Sequence, residues 1–395
     1  MRVLVIGGYG NFGKRLIKSL LLDRQIEVVA AGRTRARLDG LQSELLKTTG
    51  RTIGCITLDV FDQQLSYQLA SIGPDIVVNA VGPFQKQVNI GVKENHYIVA
   101  RACLAFGCHY VDLADDRCFV SGFSKELNNT ALKRNVSLIT GASTVPALTD
   151  AVLRCYEPQF ANIDSLYYGI SPGNRTERGE GTIGSILSYT GQSFTTLEKG
   201  KDKRIWGWQD LTRYDFGYPL GKRWMSNCNI PDIELLPQEF PSLKDIKFQA
   251  GLEVTVLHVG LWMLSFLTRW KVIKNWQHYT KVITSMSRWF ESWGSDSGGM
   301  FIDLSGIDKT GAPKKLHWQL VAEKGVGPNV PTIAAEIVVK KLMAKSLPFG
   351  AQPCINLFTM EEFFNIAKRW GIYYRVERHF DRSSAHTVNK QGEVL

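Results

Sequence analysis

The sequence predicts an α/β fold, a doubly wound parallel sheet with a second α/β (α+β) domain inserted before carboxyl-terminal helices. Three observations carry this. Short apolar runs rich in β-branched residues alternate with segments of helical periodicity through about residue 145. Four glycines crowd into residues 7–13 of "VLVIGGYGNFGKRLIKSL", between the first apolar run and the first amphipathic segment. From about Ala151 the alternation breaks, and Ser171-Pro172-Gly173-Asn174 is a turn cluster that opens a differently organised region.

Residues 3–6 form an unbroken apolar run, as expected of a strand buried on both faces. Phe12, Leu16, Leu20 and Leu21 then recur at helical spacing. Between them Gly8-x-Gly10-x-x-Gly13 has the form of a dinucleotide fingerprint in the strand–turn–helix context it needs. On this reading Gly8 permits the tight turn, Gly10 lets backbone approach a pyrophosphate, and Gly13 lets helix pack on strand. Tyr9, Asn11 and Phe12 complete the ribbon, and the anion sits at the helix N-terminus. This is a Rossmann-type arrangement.

A second strand over residues 27–31 ends at Ala31-Gly32-Arg33-Thr34-Arg35, followed by Arg37. An NAD site usually has an acid there to hold the ribose 2′-hydroxyl. Arginine instead suits a 2′-phosphate, so the cofactor expected is NADP, with NAD second. Asp59 and Val60 close a third apolar stretch. Asp59 reads either as an acceptor for the adenine amino group or as a helix cap. A fourth strand over residues 75–81 runs through Asn79, Ala80 and Val81 into Gly82-Pro83-Phe84, where ligands lie in open α/β sheets. Residues 109–113 and 136–140 read as strands five and six.

Tyr110 and Asp112 share one side of strand five and are the nominees for proton donation. A structural hydrogen bond or cap is the competing reading for Asp112. Ser143, after strand six, either bonds the nicotinamide amide or caps a helix.

The segments "GGYGNFG", "AGR", "VVNAVGPF", "ACLAFGCHYVDLADD" and "GASTVPALTD" together resemble the saccharopine dehydrogenase NADP-binding family. "SPGNRTERGEGTIGSILSYTG" and "GPNVPTIAAEIVVKKLMA" resemble its bacterial branch, which is also similar to trans-acting enoyl reductases of lipid synthesis. The resemblance implies a Rossmann domain, a following α/β domain and hydride transfer in the cleft between them. It also implies that residues 79–84 lie beside the nicotinamide and residues 143–146 near the hinge. The middle of the chain lacks an evident set of groups for an amino-dicarboxylate, so the family name is not taken as the substrate.

The domains expected are residues 1–150 for the cofactor, 151–325 for substrate or oligomerisation, a helical segment at 326–380 packing back on the first domain, and a polar, disordered tail at 381–395. Of the 395 residues 44% are hydrophobic and 21% charged, an ordinary globular composition. Seven cysteines without CxxC spacing give no disulfide framework and no metal site, and a cytoplasmic protein without a signal peptide is expected. The net charge of +10 is spread out, with no nucleic-acid motif.

The segment 252–293 stands apart. It reads as a buried helix followed by a packed amphipathic one, with a homodimer contact as one place for it. The other reading is a peripheral membrane surface at the inner face, because Trp270, Trp276, Trp289 and Trp293 interleave with basic residues. Arg175 and Arg178, before a glycine-rich helix start near Thr182, read as an anion site or as ordinary loop residues. The function expected is NADP-dependent reduction or oxidation of a C=N or C=C bond in a small or lipid-like substrate. The alternatives are a non-catalytic NADP-binding sensor and a membrane-associated protein of lipid metabolism.

Overall fold

A computed structural model describes residues 1–82, 84 and 97–379. Pro83 of the candidate site and the tail expected at 381–395 lie outside the described residues. The chain forms two units, Met1–Ala151 with Pro328–Phe363, and Val152–Gly327 with the chain from Phe364 onward.

The first unit opens with β1 (Arg2–Ile6), α1 (Asn11–Leu20), β2 (Glu27–Gly32), α2 (Arg35–Thr49), β3 (Gly54–Thr57) and α3 (Leu65–Ile72). It continues with β4 (Ile76–Asn79), α4 (Ile98–Phe106), β5 (His109–Asp112), α5 (Arg117–Arg134) and β6 (Ser137–Thr140). After α6 (Thr149–Tyr156) the chain builds the second unit. Its elements are β7 (Asn162–Ser171), α7 (Glu180–Tyr189), β8 (Ser193–Glu198), β9 (Lys201–Trp206), β10 (Thr212–Asp215), β11 (Lys222–Asn227), α8 (Asp232–Glu239) and β12 (Asp245–Ala250). Then come α9 (Thr255–Arg269), α10 (Thr280–Arg288), β13 (Gly298–Ile307) and β14 (Pro313–Ala322). The chain returns to the first unit with α11 (Val330–Met343) and β15 (Gly350–Pro353), and ends with α12 (Met360–Ala367) and β16 (Tyr373–His379).

The first sheet runs β15-β6-β5-β4-β1-β2-β3 with every pairing parallel. Val3, Leu4, Val5 and Ile6 of the central strand are each at most 1% exposed, which is why that strand reads as a continuous apolar run. The connection after β1 leads to β2 on one side, while β4 pairs on the other, so the strand order reverses at β1 and β4. Helix α11 packs on α1, and its one buried acid is paired. Glu336 accepts from Ser19 Oγ at 2.5 Å and from Lys340 Nζ at 2.5 Å.

The second sheet is mixed, β10-β11-β12-β7-β13-β14-β16, with β12 and β7 its parallel pair. β13 and β14 form an antiparallel hairpin on either side of "DKTGAPKK". Within residues 205–245 the short strands β10 and β11 pair with each other and form one edge of this sheet. Two strands, β15 and β16, also join the helices expected after residue 326. β15 is the four residues "GAQP", which carry no hydrophobic period.

His258 on α9 is fully buried. Its Nδ1 accepts the Leu252 N–H at 3.1 Å, which leaves Nε2 to donate to Ser226 Oγ at 3.0 Å. Burial lowers its pKa from 6.5 to about 4. The neutral form is the one the fold accepts, so its contribution is present above pH 6.5 and is lost as pH falls through about 4. Melting curves from neutral pH to pH 4 should show a loss on the order of 3 kcal/mol from this residue. The acid-dependent part should be smaller by that amount in His258→Gln than in the parent chain; equal pH slopes would contradict it.

Candidate cofactor site

The turn after β1 is built around Gly7, not Gly8. Gly7 takes φ +79°, and the amides of Gly7 and Gly8 both donate to Ala31 O on β2, at 2.9 and 3.0 Å. This corrects the role expected for Gly8, whose φ is ordinary. A Cβ on Gly8 would lie 2.9 Å from Ala30 Cβ and 3.1 Å from Ile17 Cδ1, so Gly8 serves close packing. Gly13 does so more severely, since a Cβ there would stand 2.2 Å from Gly7 O. A Cβ on Gly10 would meet Gly7 O at 3.0 Å and otherwise open space. Helix α1 starts directly after Gly10 and has no acid in its first turn. Its leading N–H groups and macrodipole favour an anion there.

The loop after β4 abuts this turn, because a Cβ on Gly7 would lie 3.1 Å from Ala80 O. Asn79 is fully buried and props the loop: its Oδ1 accepts the Val81 N–H at 3.1 Å, and its Nδ2 donates to the Tyr110 hydroxyl at 3.3 Å. Ala80 N donates to Ile6 O at 2.9 Å, and Gly82 is exposed.

At the end of β2 the Tyr9 ring lies over Gly32, where a Cβ would come within 2.4 Å of it. The Tyr9 hydroxyl accepts the Arg33 N–H at 3.2 Å, and the Arg37 guanidinium stacks 4.4 Å from the ring centre. Arg33 is exposed, and among the described residues its guanidinium has no hydrogen bond or ion pair. Arg35 is engaged, by Asp39 at 2.9 Å and by Cys55 O at 3.2 Å. Thr34 caps α2 by position, yet its hydroxyl makes no cap bond, and no acid lies in that helix's first turn. Leu58 N donates to Gly32 O, which brings Asp59 and Val60 beside this corner. Asp59 is no helix cap: its Oδ1 accepts the Phe61 N–H at 3.1 Å, and α3 starts only after Gln64.

Asp112 pairs in register with Asn79 and is fully buried. One oxygen, Oδ1, accepts three bonds, from Ala114 N at 2.9 Å, Thr140 Oγ1 at 2.9 Å and Gly141 N at 2.8 Å. Burial pushes its pKa up to about 6, against the lowering effect of those donors and of the neighbouring Tyr110 hydroxyl. Tyr110 is raised above the usual phenol range, chiefly by burial and then by Asp112. Both therefore stand in the interior at the strand ends, where Asp112 ties the β5 loop to the β6 loop. Ser143 is buried before the turn Thr144–Leu148; its N–H donates to Gly141 O at 2.8 Å and its hydroxyl makes no cap bond.

The second unit carries a polar cluster that sequence reading missed. Asp303 on β13 and His317 on β14 are cross-strand partners, with Asp303 Oδ1 to His317 Nδ1 at 2.5 Å and the Tyr214 hydroxyl 3.1 Å from the same nitrogen. Nothing in the linear order of three residues spread over about a hundred positions signals this. Arg175 and Arg178 hold loops together rather than standing open to an anion. Arg175 donates to Ser292 O at 2.8 Å, and Arg178 to Gly173 O at 3.2 Å and Asn174 Oδ1 at 3.1 Å.

The glycine cradle, the open helix start and the basic β2 end fit a dinucleotide with a 2′-phosphate, and together they define a Rossmann-type cofactor domain. Residues 3–154 match the family model described as the saccharopine dehydrogenase NADP binding domain. Over these residues the amino-terminal domain matches that NADP-binding family, which supports NADP as its cofactor. Apo saccharopine dehydrogenase (L-Glu forming) from Saccharomyces cerevisiae shares the fold at TM-score 0.65, with 15% identity over 96% of this chain and 100% of that one. A mutant meso-DAP dehydrogenase from Clostridium tetani E88, at TM-score 0.43 and 13% identity over 92% of this chain and 98% of that one, is too distant to build on. Comparison with curated proteins gives no match.

Gly13→Ala should destabilise the first unit by about 3 kcal/mol or more, because the obstacle is backbone. Gly10→Ala should lower stability much less than Gly13→Ala while weakening NADPH binding roughly tenfold or more. Thermal melts paired with NADPH fluorescence titrations check both; equal effects of the two substitutions on stability would contradict the assignment.

Proposed function

We propose that the protein transfers hydride between NADP(H) and a C=N or C=C bond of a small or lipid-like substrate. The observation that carries this reading is the Arg33 guanidinium just after β2, without an ion pair among the described residues, beside an anion-ready turn at the β1/β4 reversal. Gly8, Tyr9, Gly10, Asn11, Phe12 and Gly13 would hold the diphosphate. Arg33 and Thr34 would take the 2′-phosphate, with Arg35 nearby, and Asp59 and Val60 would border the adenine. Asn79, Ala80, Val81, Gly82 and Ser143 would border the nicotinamide, whose chemistry when bound is to give or accept the hydride.

Such a reduction also needs a proton. Tyr110 and Asp112 serve this account as positioning residues. Three donors on one Asp112 oxygen suit a carboxylate that holds two loops, and neither side chain reaches solvent.

The test is NADPH oxidation against a panel of imine-forming amine and keto-acid pairs and of enoyl thioesters. Turnover with one class is expected. NADPH binding without oxidation of any member would overturn the reductase reading and leave the sensor. Once a substrate is found, Asp112→Asn should retain most of the turnover. Arg33→Asp should narrow the preference for NADPH over NADH roughly tenfold or more in paired titrations.

A further inference from the structure

Residues 255–293 of the second unit present an apolar face to water. On α9, Val256, Met263 and Trp270 follow one another at seven-residue spacing, which is one stripe of a helix, and are 54, 58 and 67% exposed. On α10, Val282 and Met286 share one stripe that runs on to Trp289 at its end, and Trp293 lies in the turns that follow; they are 59, 52, 76 and 52% exposed. Val272 between the helices is 68% exposed. The packing contacts are made elsewhere. Leu261, Leu264, Leu267, Ile273 and Ile283 join the cluster around Leu187, Trp208 and Trp276. Trp276 is thus a core residue, only 8% exposed, with its Nε1 donating to Leu264 O at 3.0 Å; the membrane reading of the sequence had counted it among the interfacial tryptophans.

Exposed apolar side chains gathered on two neighbouring stripes mark an interaction surface. What covers it follows from charge. Lys271, Lys274, Lys281 and Arg288 are exposed among these side chains, and none of the four makes an ion pair among the described residues. The exposed acid of the same stretch is Glu291. A second copy of the chain would set this cationic patch against itself, since a twofold interface uses the same surface on both partners. An anionic bilayer surface satisfies both features: indoles settle at the headgroup level, and lysine and arginine meet the negative leaflet. The mode is lying on the membrane, not crossing it. No helix among the described residues is long and apolar enough to span, and α9 has 15 residues.

We propose that the surface formed by Trp270, Trp289, Trp293 and the cations Lys271, Lys274, Lys281 and Arg288 docks the protein onto anionic lipid. The test is flotation of the full chain with vesicles of equal parts phosphatidylcholine and phosphatidylglycerol, and with vesicles of phosphatidylcholine alone. Binding is expected to the first, weaker in high salt, and much less to the second. A variant carrying Trp270→Ser, Trp289→Ser and Trp293→Ser should lose it with an unchanged melt. Neutralising the four cations should weaken binding roughly fivefold for each charge removed. NADPH titration serves as the fold control for both variants. Failure to float with anionic vesicles, equal binding to neutral ones, or full binding by the tryptophan variant would each overturn the proposal. So would self-association in sedimentation that the tryptophan variant abolishes while vesicle binding is absent, because the surface would then belong to a second copy.

Discussion

The cofactor domain depends on one close approach, that of Gly13 to the carbonyl of Gly7. With no Cβ at position 13, the first turn of α1 seats against the end of β1, and a Cβ would need to fit 2.2 Å from an oxygen. That contact fixes where the helix's free N–H groups point. The left-handed φ of Gly7 and the shared acceptor Ala31 O then bind the turn to β2. Much of the remaining site follows from this anchoring, because the β4 loop packs directly on Gly7 and the Tyr9 ring covers Gly32.

A second layer of order runs along the same sheet edge as a row of buried polar side chains. Asn79, Asp112 and Thr140 end three adjacent strands, and each is hydrogen-bonded to the loops or side chains beside it. Buried polar groups at strand ends cost desolvation unless bonded, so once bonded they specify the loop conformation strongly. The raised pKa of Asp112 is a consequence of that burial. A shifted pKa at a strand end invites a catalytic reading, but here the bonding pattern points to loop positioning.

Most of the cofactor domain was legible because its strands are buried on both faces and its helices carry one apolar stripe. The strands over β1, β2, β4, β5 and β6 could be read to within a residue or two for that reason. The glycine spacing located the turn, but not which glycine carries the positive φ, since that depends on the hydrogen bonds to Ala31. The absence of an acid after β2 was readable; that Arg35 is held by Asp39 while Arg33 stays open was not. The Asp303–His317 pair arises from cross-strand register and leaves no local trace. Trp276 and Trp289 look alike in sequence, and the packing of α9 and α10 on α7 makes one core and leaves the other in water.

The central claim is that the amino-terminal unit recognises a 2′-phosphorylated adenosine diphosphate through its glycine turn and the arginine after β2. Calorimetric titration of the intact chain with 2′-phospho-ADP-ribose and with ADP-ribose isolates this recognition from any nicotinamide chemistry. The account predicts saturable binding of both, with the phosphorylated ligand tighter by roughly tenfold or more. Equal affinities, or no heat with either, would contradict it.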